Sequence, residues 1–395
     1  MSPASQMLLL VASLVGHGAL LVWCYNRLHA LDWSRSRVKL IERTILLVSL
    51  LLPLVHLALA ADRELWLDLG LLAHPTWGLD DILLTIYPLT GLVALLVAIP
   101  QWLLPKLNVG PPAILVAHTK QRLDLRQELQ PLPLGTSRGR FAAAIPFTEI
   151  LQLQIEHKTI RVPHLPAELA GLTIAHLSDL HLIGDLTETF FSRIVDETLA
   201  LDADLIVITG DILEQERCFD WLPGTLGRLR AREGVYYVLG NHDKRLADPG
   251  DLRRRLDALG LTPVAGQTLH RTIRGCSISI SGNELPWFGP APDCSKLASS
   301  ERPFRLLLTH TPDLYPWARE HQFDLMLAGH NHGGQIRFPY FGALVTPSLF
   351  GSRYAGGLYD EKPTVLHVSR GISGQHPLRW NCPPELPLLT LLPSE

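Results

Sequence analysis

The stretch Leu325-Met-Leu-Ala-Gly-His-Asn-His-Gly-Gly-Gln335 decides how this chain is read. An apolar run, Leu325 to Ala328, stops on two histidines, His330 and His332, set among glycines. On an extended backbone, side chains two apart share a side, so both imidazoles can face one point. A lone histidine at a strand end is most often a cap, a hydrogen-bonding group or a solvated side chain. The pair gains meaning only if other ligand-type residues stand in the same setting elsewhere.

They do. Leu172 to Leu177 leads into Ser178-Asp179-Leu180-His181, and Leu205 to Thr209 leads into Gly210-Asp211. Val235 to Leu239 leads into Gly240-Asn241-His242-Asp243, and Phe304 to Thr309 leads into His310. Helix-like stretches over about 186–200, 217–231 and 249–259 alternate with these runs. From about residue 146 onward the pattern is that of a layered α/β domain. Ligands of such sheets gather outside the carboxyl ends of the strands. Taken singly, a strand-ending Asp is often a helix N-cap and a Gly-Asn-His-Asp run an ordinary turn. Five coincidences together point to a two-metal centre, with glycines letting the backbone pass close to the ions.

At these residues the sequence resembles the calcineurin-like metallophosphoesterase superfamily. Its blocks appear in order as Asp179-Leu-His181, Gly210-Asp211, Gly240-Asn-His-Asp243, His310 and Gly329-His-Asn-His332. Leu177-Ser-Asp-Leu-His181, Val368-Ser-Arg-Gly371 and Cys382-Pro-Pro-Glu385 are similar to its bacterial, often membrane-anchored branch. The resemblance implies a four-layer α/β sandwich, two mixed β-sheets flanked by helices. It implies that Asp179, His181 and His332 bind one metal, that Asn241, His310 and His330 bind the other, and that Asp211 bridges them. It places His242 beside the substrate as general acid, with Asn241 also stabilising phosphoryl charge. Where the family often has a second Asp three residues after the bridging one, this chain has Glu214. The stretch Gly282-Asn-Glu-Leu-Pro-Trp-Phe-Gly289 departs from the branch pattern. Imidazole, carboxylate and amide donors together suit Mn, Fe, Zn or Co and do not choose among them. Arg370 and Arg379 fit a phosphate clamp or a structural ion pair equally well.

The front of the chain is different. Over 395 residues, 47% are hydrophobic and only 18% charged, with a mean hydropathy of +0.16. The apolar excess sits in three runs, Met7–Cys24, Thr44–Ala61 and Ile82–Leu104, each about long enough to cross a bilayer. Residues 1–6 carry no basic segment of the kind that opens a signal peptide. Arg27, Arg35, Arg37, Lys39 and Arg43 lie between the first two runs. Asp62, Glu64, Asp68, Asp80 and Asp81, against Arg63, lie between the second and third; Lys106, Lys120, Arg122 and Arg126 follow. Basic, acidic, basic predicts a multi-pass protein with its N-terminus outside and its C-terminal part cytoplasmic, and the resemblance to the bacterial branch implies a bacterial inner membrane. Trp66, Trp77 and Trp102 suit interfacial anchors. The sequence thus divides into a membrane region over 1–105, a membrane-proximal linker over 106–145 with a short helix near 118–130, and a catalytic domain over 146–395.

A net charge of −3 gives no global basic field, so no nucleic-acid partner is expected. Cys24, Cys218, Cys276, Cys294 and Cys382 form no C-x-x-C pair and fit neither a disulfide framework nor a zinc ribbon. The expected function is a membrane-anchored phosphoesterase acting on phosphodiester or pyrophosphate bonds. Lipid-linked substrates are favoured, and the resemblance includes enzymes that cleave UDP-diacylglucosamine. The rival readings are an enzyme of soluble or cyclic nucleotides and a degenerate phosphoesterase serving as scaffold or sensor. The latter would be expected to have lost ligands.

Overall fold

The computed structural model describes residues 2–63, 78–107, 112–294 and 302–394. The chain forms two compact units, Met1–Gly110 and Pro111–Glu395.

The first unit contains three helices, α1 (Pro3–Ala30), α2 (Arg35–Arg63) and α3 (Leu79–Leu107). All three are long and apolar enough to cross a membrane, with mean hydropathies of 2.1, 2.4 and 2.4 over their best windows. Gly16 of α1 and Gly91 of α3 meet so closely that a Cβ on either would overlap the other helix's backbone, the small-residue contact that lets apolar helices approach. Pro53 inside α2 has no N–H to give the carbonyl of Ser49, and the His17 ring nitrogen Nε2 takes that place at 3.0 Å. His56 Nδ1 bonds to the Leu83 carbonyl at 3.2 Å. Both histidines inside the apolar runs thus satisfy backbone groups. Trp102 lies on α3, whereas Trp66, Trp77, Glu64 and Asp68 fall outside the described residues.

The second unit opens with β1 (Leu115–Asp124), α4 (Leu125–Glu128) and α5 (Ser137–Ala144). This corrects the expectation of a linker with a helix near 118–130. Residues 118–122 are His-Thr-Lys-Gln-Arg, with no apolar face for a helix to bury. The backbone instead pairs antiparallel along β2 (Gln152–Val162), so the sheet begins well before residue 146. There follow β3 (Leu172–Leu177), α6 (Glu188–Ala200), β4 (Leu205–Thr209), β5 (Val235–Val238), α7 (Pro249–Ala258), β6 (Thr262–Pro263), β7 (Thr268–Ile273) and β8 (Cys276–Asn283). Next come β9 (Phe304–Thr309), α8 (Tyr315–Glu320), β10 (Leu325–Ala328), β11 (Arg337–Phe338), β12 (Gly342–Ala343), β13 (Gly357–Glu361), β14 (Thr364–Val368) and β15 (Glu385–Pro393). The helix expected over 217–231 is instead two short 3₁₀ turns, Glu216–Trp221 and Leu226–Arg228. Pro223, Gly224 and Gly227 interrupt it there.

Seven strands form one sheet in the order β1-β2-β15-β3-β4-β5-β6, and six form a second in the order β13-β14-β10-β9-β8-β7. Both are mixed: β3 to β6 run parallel, as do β8, β9, β10 and β14, with antiparallel pairs toward the edges and at β15–β3. Side chains alternate between two cores, as the period-2 geometry requires. Ile174, Val207, Val238, Leu306, Leu308, Leu325 and Leu327 fill the space between the sheets. Leu177, Ile206, Ile208 and Tyr237 face α6 and α7, while Leu307, Met326 and Leu366 face α8. The result is the expected four-layer sandwich. Burial on both faces explains why the strands read as continuous apolar runs.

One part of the inter-sheet layer is ionic. Lys158 Nζ lies 2.8 Å from Glu156, 2.5 Å from Glu385 and 3.1 Å from His367 Nε2. Arg370 closes the group through Glu156 at 2.8 Å and Glu385 at 3.1 Å. The Lys158 ammonium donates to His367 Nε2, so His367 Nδ1–H faces His176 Nδ1 at 3.0 Å. His176 then donates from Nε2 to the Thr209 hydroxyl at 2.8 Å. Two positive and two negative groups balance, and both imidazoles are neutral.

Candidate dinuclear metal centre

All seven ligand candidates lie at the carboxyl ends of strands, where sheet topology brings distant segments together. Asp179 and His181 follow β3, Asp211 follows β4, Asn241 follows β5, His310 follows β9, and His330 and His332 follow β10. Asp179, His181, Asp211, His330 and His332 all hold positive φ, from 46° to 71°. Such strain in non-glycine residues persists only where surrounding structure enforces it. Glycines relieve the crowding: a Cβ at Gly329 would overlap Ser178 Oγ, and one at Gly240 would overlap Asp211 Oδ1.

The donor atoms converge in two groups. In one, His181 Nε2 is 3.2 Å from His332 Nε2 and 3.5 Å from Asp211 Oδ2, and His332 Nε2 is 3.5 Å from Asp179 Oδ1. In the other, His310 Nε2 is 3.1 Å from Asn241 Oδ1, 3.1 Å from His330 Nδ1 and 3.2 Å from Asp211 Oδ2. Asp211 Oδ2 belongs to both. These spacings suit neighbouring ligands about 2.0–2.2 Å from a shared ion.

Tautomers sharpen the case. His181 Nδ1 lies 2.5 Å from Glu214 Oε1, His310 Nδ1 lies 2.7 Å from the Thr209 carbonyl, and His332 Nδ1 lies 3.3 Å from the Ser373 carbonyl. Each acceptor fixes the proton on Nδ1, leaving the Nε2 lone pair aimed at the cluster. Imidazole nitrogens and two carboxylates converging on one buried space need positive charge among them, from protons on the rings or from metal ions in their place. The residues present therefore fit a pair of divalent ions. Burial alone would raise the Asp211 carboxyl, but the imidazoles of His310, His242 and His181 hold it well below the usual carboxylate range.

Surrounding groups hold the ligands in place. Ser178 Oγ donates to Asp179 at 2.6 Å, and the His330 N–H donates to the same carboxylate at 3.1 Å. The His242 N–H donates to Asp211 Oδ1 at 2.8 Å. The His242 ring is anchored at Nδ1, 2.7 Å from Glu214 and 2.8 Å from Arg245 Nη1, with Nε2 directed at Asp211 Oδ2, 4.0 Å away. Glu214, whose role the sequence left open, thus touches both His181 and His242.

Two further contributions, Asp243 and Trp287, escaped sequence reasoning, and the role of Arg379 was left open there. Asp243 is fully buried and accepts the N–H groups of Ile212 and Leu213 at 2.9 Å and of Gly240 at 2.8 Å, tying the Asp211 loop to the Asn241 loop. Its place in the Gly-Asn-His-Asp block was the available signal. Trp287 packs its indole against His330 and His310, with ring centroids 4.9 and 5.4 Å apart; it lies in the stretch that departs from the branch pattern. Arg379 is fully buried and spends its guanidinium on the carbonyls of Arg370 (2.7 Å), Gly371, Ser373 and His332. With Arg370 held by Glu156 and Glu385, both arginines are structural.

Comparison with known proteins agrees with this geometry. The family model described as calcineurin-like phosphoesterase matches residues 172–334. The Bacillus subtilis metallophosphoesterase YkoQ is 31% identical over 216 residues, covering 53% of this chain and 78% of that protein. The Escherichia coli phosphodiesterase YaeI is 29% identical over 237 residues, covering 56% and 83%. The UDP-2,3-diacylglucosamine pyrophosphatase LpxG of Chlamydia muridarum is 26% identical over 288 residues, covering 59% and 87%.

Proposed function

This chain belongs to the calcineurin-like metallophosphoesterase family and is a metal-dependent phosphoric ester hydrolase, and from that premise we propose that it hydrolyses phosphodiester or pyrophosphate bonds of lipid-linked substrates at the cytoplasmic face of a membrane. The observation that carries the reaction is the sharing of Asp211 Oδ2 between two complete donor groups. Two divalent ions, Mn, Fe, Zn or Co, held by Asp179, His181, Asp211, Asn241, His310, His330 and His332 would supply Lewis-acid charge and lower the pKa of an attacking water.

The chain's own residues do the rest. Asn241, its amide oxygen turned to the donor group, leaves its NH₂ to donate to a phosphoryl oxygen, where charge grows in the transition state. His242, when it carries a proton on each ring nitrogen with Nδ1–H held by Glu214, would deliver its Nε2 proton to the departing oxygen, and Glu214 keeps that ring in position. The indole of Trp287, packed against His310 and His330, limits water on that side of the centre.

Two facts support a lipid-linked substrate. Three helices of this chain are long and apolar enough to cross a membrane, and relatives in Chlamydia are named for cleaving UDP-2,3-diacylglucosamine. The cytoplasmic assignment rests on the charge pattern of the loops. The completeness of the site speaks against a scaffold. The test is hydrolysis by the full chain in detergent with Mn²⁺, comparing UDP-2,3-diacylglucosamine, phosphatidylglycerol, cyclic AMP and bis-p-nitrophenyl phosphate. Turnover of a lipid-linked substrate above the soluble ones supports the proposal. A preference for cyclic AMP overturns the substrate class, and inactivity on all four in a metal-loaded protein overturns the enzyme. Protease treatment of right-side-out vesicles tests the topology, because a cytoplasmic domain is protected there.

A further inference from the structure

Exposed apolar surface on the second unit is concentrated beside the metal centre. Among the described residues of this unit, nine large hydrophobic side chains are exposed: Val116, Leu132, Phe141, Phe147, Phe338, Tyr340, Phe341, Val345 and Leu349. The last five fall within twelve consecutive residues, and Tyr340 is 94% exposed. They lie on the β11–β12 hairpin and the loop after it. Trp380, itself half-buried, packs edge-on against Phe338 with ring centroids 5.7 Å apart.

The hairpin is tied to the ligand loop. A Cβ on Gly334, two residues after His332, would overlap the Ala343 side chain. The Arg337 N–H donates to the Trp380 carbonyl at 3.0 Å, and its guanidinium reaches the Gly333 carbonyl at 3.3 Å. A contact made by this hairpin therefore also sets where the metal centre stands.

Its charge selects a partner. No Asp or Glu occurs between Asp324 and Asp360, while Arg337 and Arg353 do. Asp313, which reaches the segment from outside, is taken up by the Ser348 hydroxyl at 2.5 Å and the Leu349 N–H at 2.8 Å. Arg353 is bridged to Glu361 at 2.7 Å. Phe, Tyr and Trp beside Arg337, with no carboxylate in the segment's own sequence, are the chemistry of a membrane interface, where the aromatic rings insert and the arginine meets lipid phosphate.

We propose that Phe338, Tyr340, Phe341, Val345 and Leu349 form a lip that inserts into the headgroup layer of an anionic bilayer and holds the metal centre at its surface. This rests on the reading of the chain as membrane-bound and is independent of which substrate it cleaves. The test uses the full chain with Cys24, Cys276 and Cys294 changed to serine, carrying Tyr340→Cys or, as control, Arg271→Cys on β7. Each is labelled with bimane and reconstituted in vesicles containing phosphatidylglycerol or only phosphatidylcholine. We expect nitroxide lipids to quench position 340 at least about threefold more than 271, and more with phosphatidylglycerol than without it. Equal quenching at the two positions overturns the proposal. So does a 340–340 crosslink in detergent, which would make the lip an interface between copies.

A second variant, Phe338→Ser with Tyr340→Ser and Phe341→Ser, should leave bis-p-nitrophenyl phosphate turnover unchanged and lose most of the lipid quenching at a label placed on position 345. Unaltered quenching there overturns the lip. If no lipid-linked substrate is cleaved but the quenching pattern holds, the substrate proposal fails and the lip stands.

Discussion

Glu214 Oε1 stands 2.5 Å from His181 Nδ1 and 2.7 Å from His242 Nδ1, so one carboxylate orients both an imidazole of the donor cluster and the imidazole proposed as proton donor. Removing such an outer partner commonly costs about 10–100-fold in metal affinity or activity. Glu214→Ala should therefore weaken Mn²⁺ binding and lower kcat together, and Glu214→Gln should recover part of both. Metal titration alongside steady-state kinetics checks this. Unchanged metal affinity in Glu214→Ala would sever the proposed link to His181.

The His242 Nδ1 is taken up by Glu214 at 2.7 Å, and its Nε2 points toward Asp211 Oδ2, 4.0 Å away. As a proton donor it should matter in proportion to the basicity of the leaving group. His242→Ala should lose about 10²–10⁴-fold on an alkyl phosphodiester and far less on a p-nitrophenyl ester, whose leaving oxygen needs no proton. Equal losses on both would assign the ring to binding.

Chelation should destabilise as well as inactivate. An ion present at 100 times its Kd adds about 2.7 kcal/mol to stability by mass action. EDTA should lower the melting temperature of the full chain and abolish turnover, with Mn²⁺ restoring both. Asp211→Asn should be inactive, with a melting temperature that no longer responds to Mn²⁺.

The inter-sheet ionic group makes a stability prediction with a definite sign. Burial pushes against both charges, yet Lys158 stays above the usual lysine value through Glu385 and Glu156, and Glu385 stays well below the glutamate range through Lys158 and Arg370. Lys158 thus stabilises below the ordinary lysine pKa and loses that contribution as pH rises through its raised value. Glu385 stabilises above the ordinary glutamate pKa and loses it as pH falls. Breaking a buried pair from one side typically costs about 3–5 kcal/mol, so Lys158→Met should fall in that range. Lys158→Met combined with Glu385→Gln should cost less than the sum. Urea midpoints near neutral pH measure both.

Burial also lowers His176 to about 3 and His367 well below its ordinary value of 6.5. Unfolded chains take up protons on these histidines below about 6.5 while the folded domain does not. Stability should therefore fall as pH drops below that point. His367→Gln should flatten the slope between pH 6 and 4; an unchanged slope would place the effect elsewhere.

The strands carrying ligands were legible because burial on two faces writes them as unbroken apolar runs, and because the chemistry sits where each run stops. Leu172–Leu177, Leu205–Thr209 and Phe304–Thr309 match the sequence reading residue for residue. Strand β1 was illegible for the opposite reason. It is an edge strand, mostly exposed, and owes its conformation to backbone pairing with β2 rather than to any apolar pattern. Residues 217–231 have helical-looking apolar spacing that a proline and two glycines override. At the site, the ligands announce themselves by residue type. Asp243 and Trp287 act through what they touch, a property that exists only once the strands have come together.

Strand β15 lies between β2 and β3, parallel to one and antiparallel to the other. Its Glu385 meets Lys158 across 227 residues of chain. While the ribosome is still adding the intervening residues, the first sheet has a gap at its middle and Lys158 has no Glu385. The apolar helices emerge long before this and are available for membrane insertion first. The order of synthesis thus separates two events: insertion can proceed during translation, whereas closing the first sheet must wait until residues 385–393 have left the exit tunnel. A domain whose first sheet is completed this late stays open until well after its apolar helices have left the ribosome.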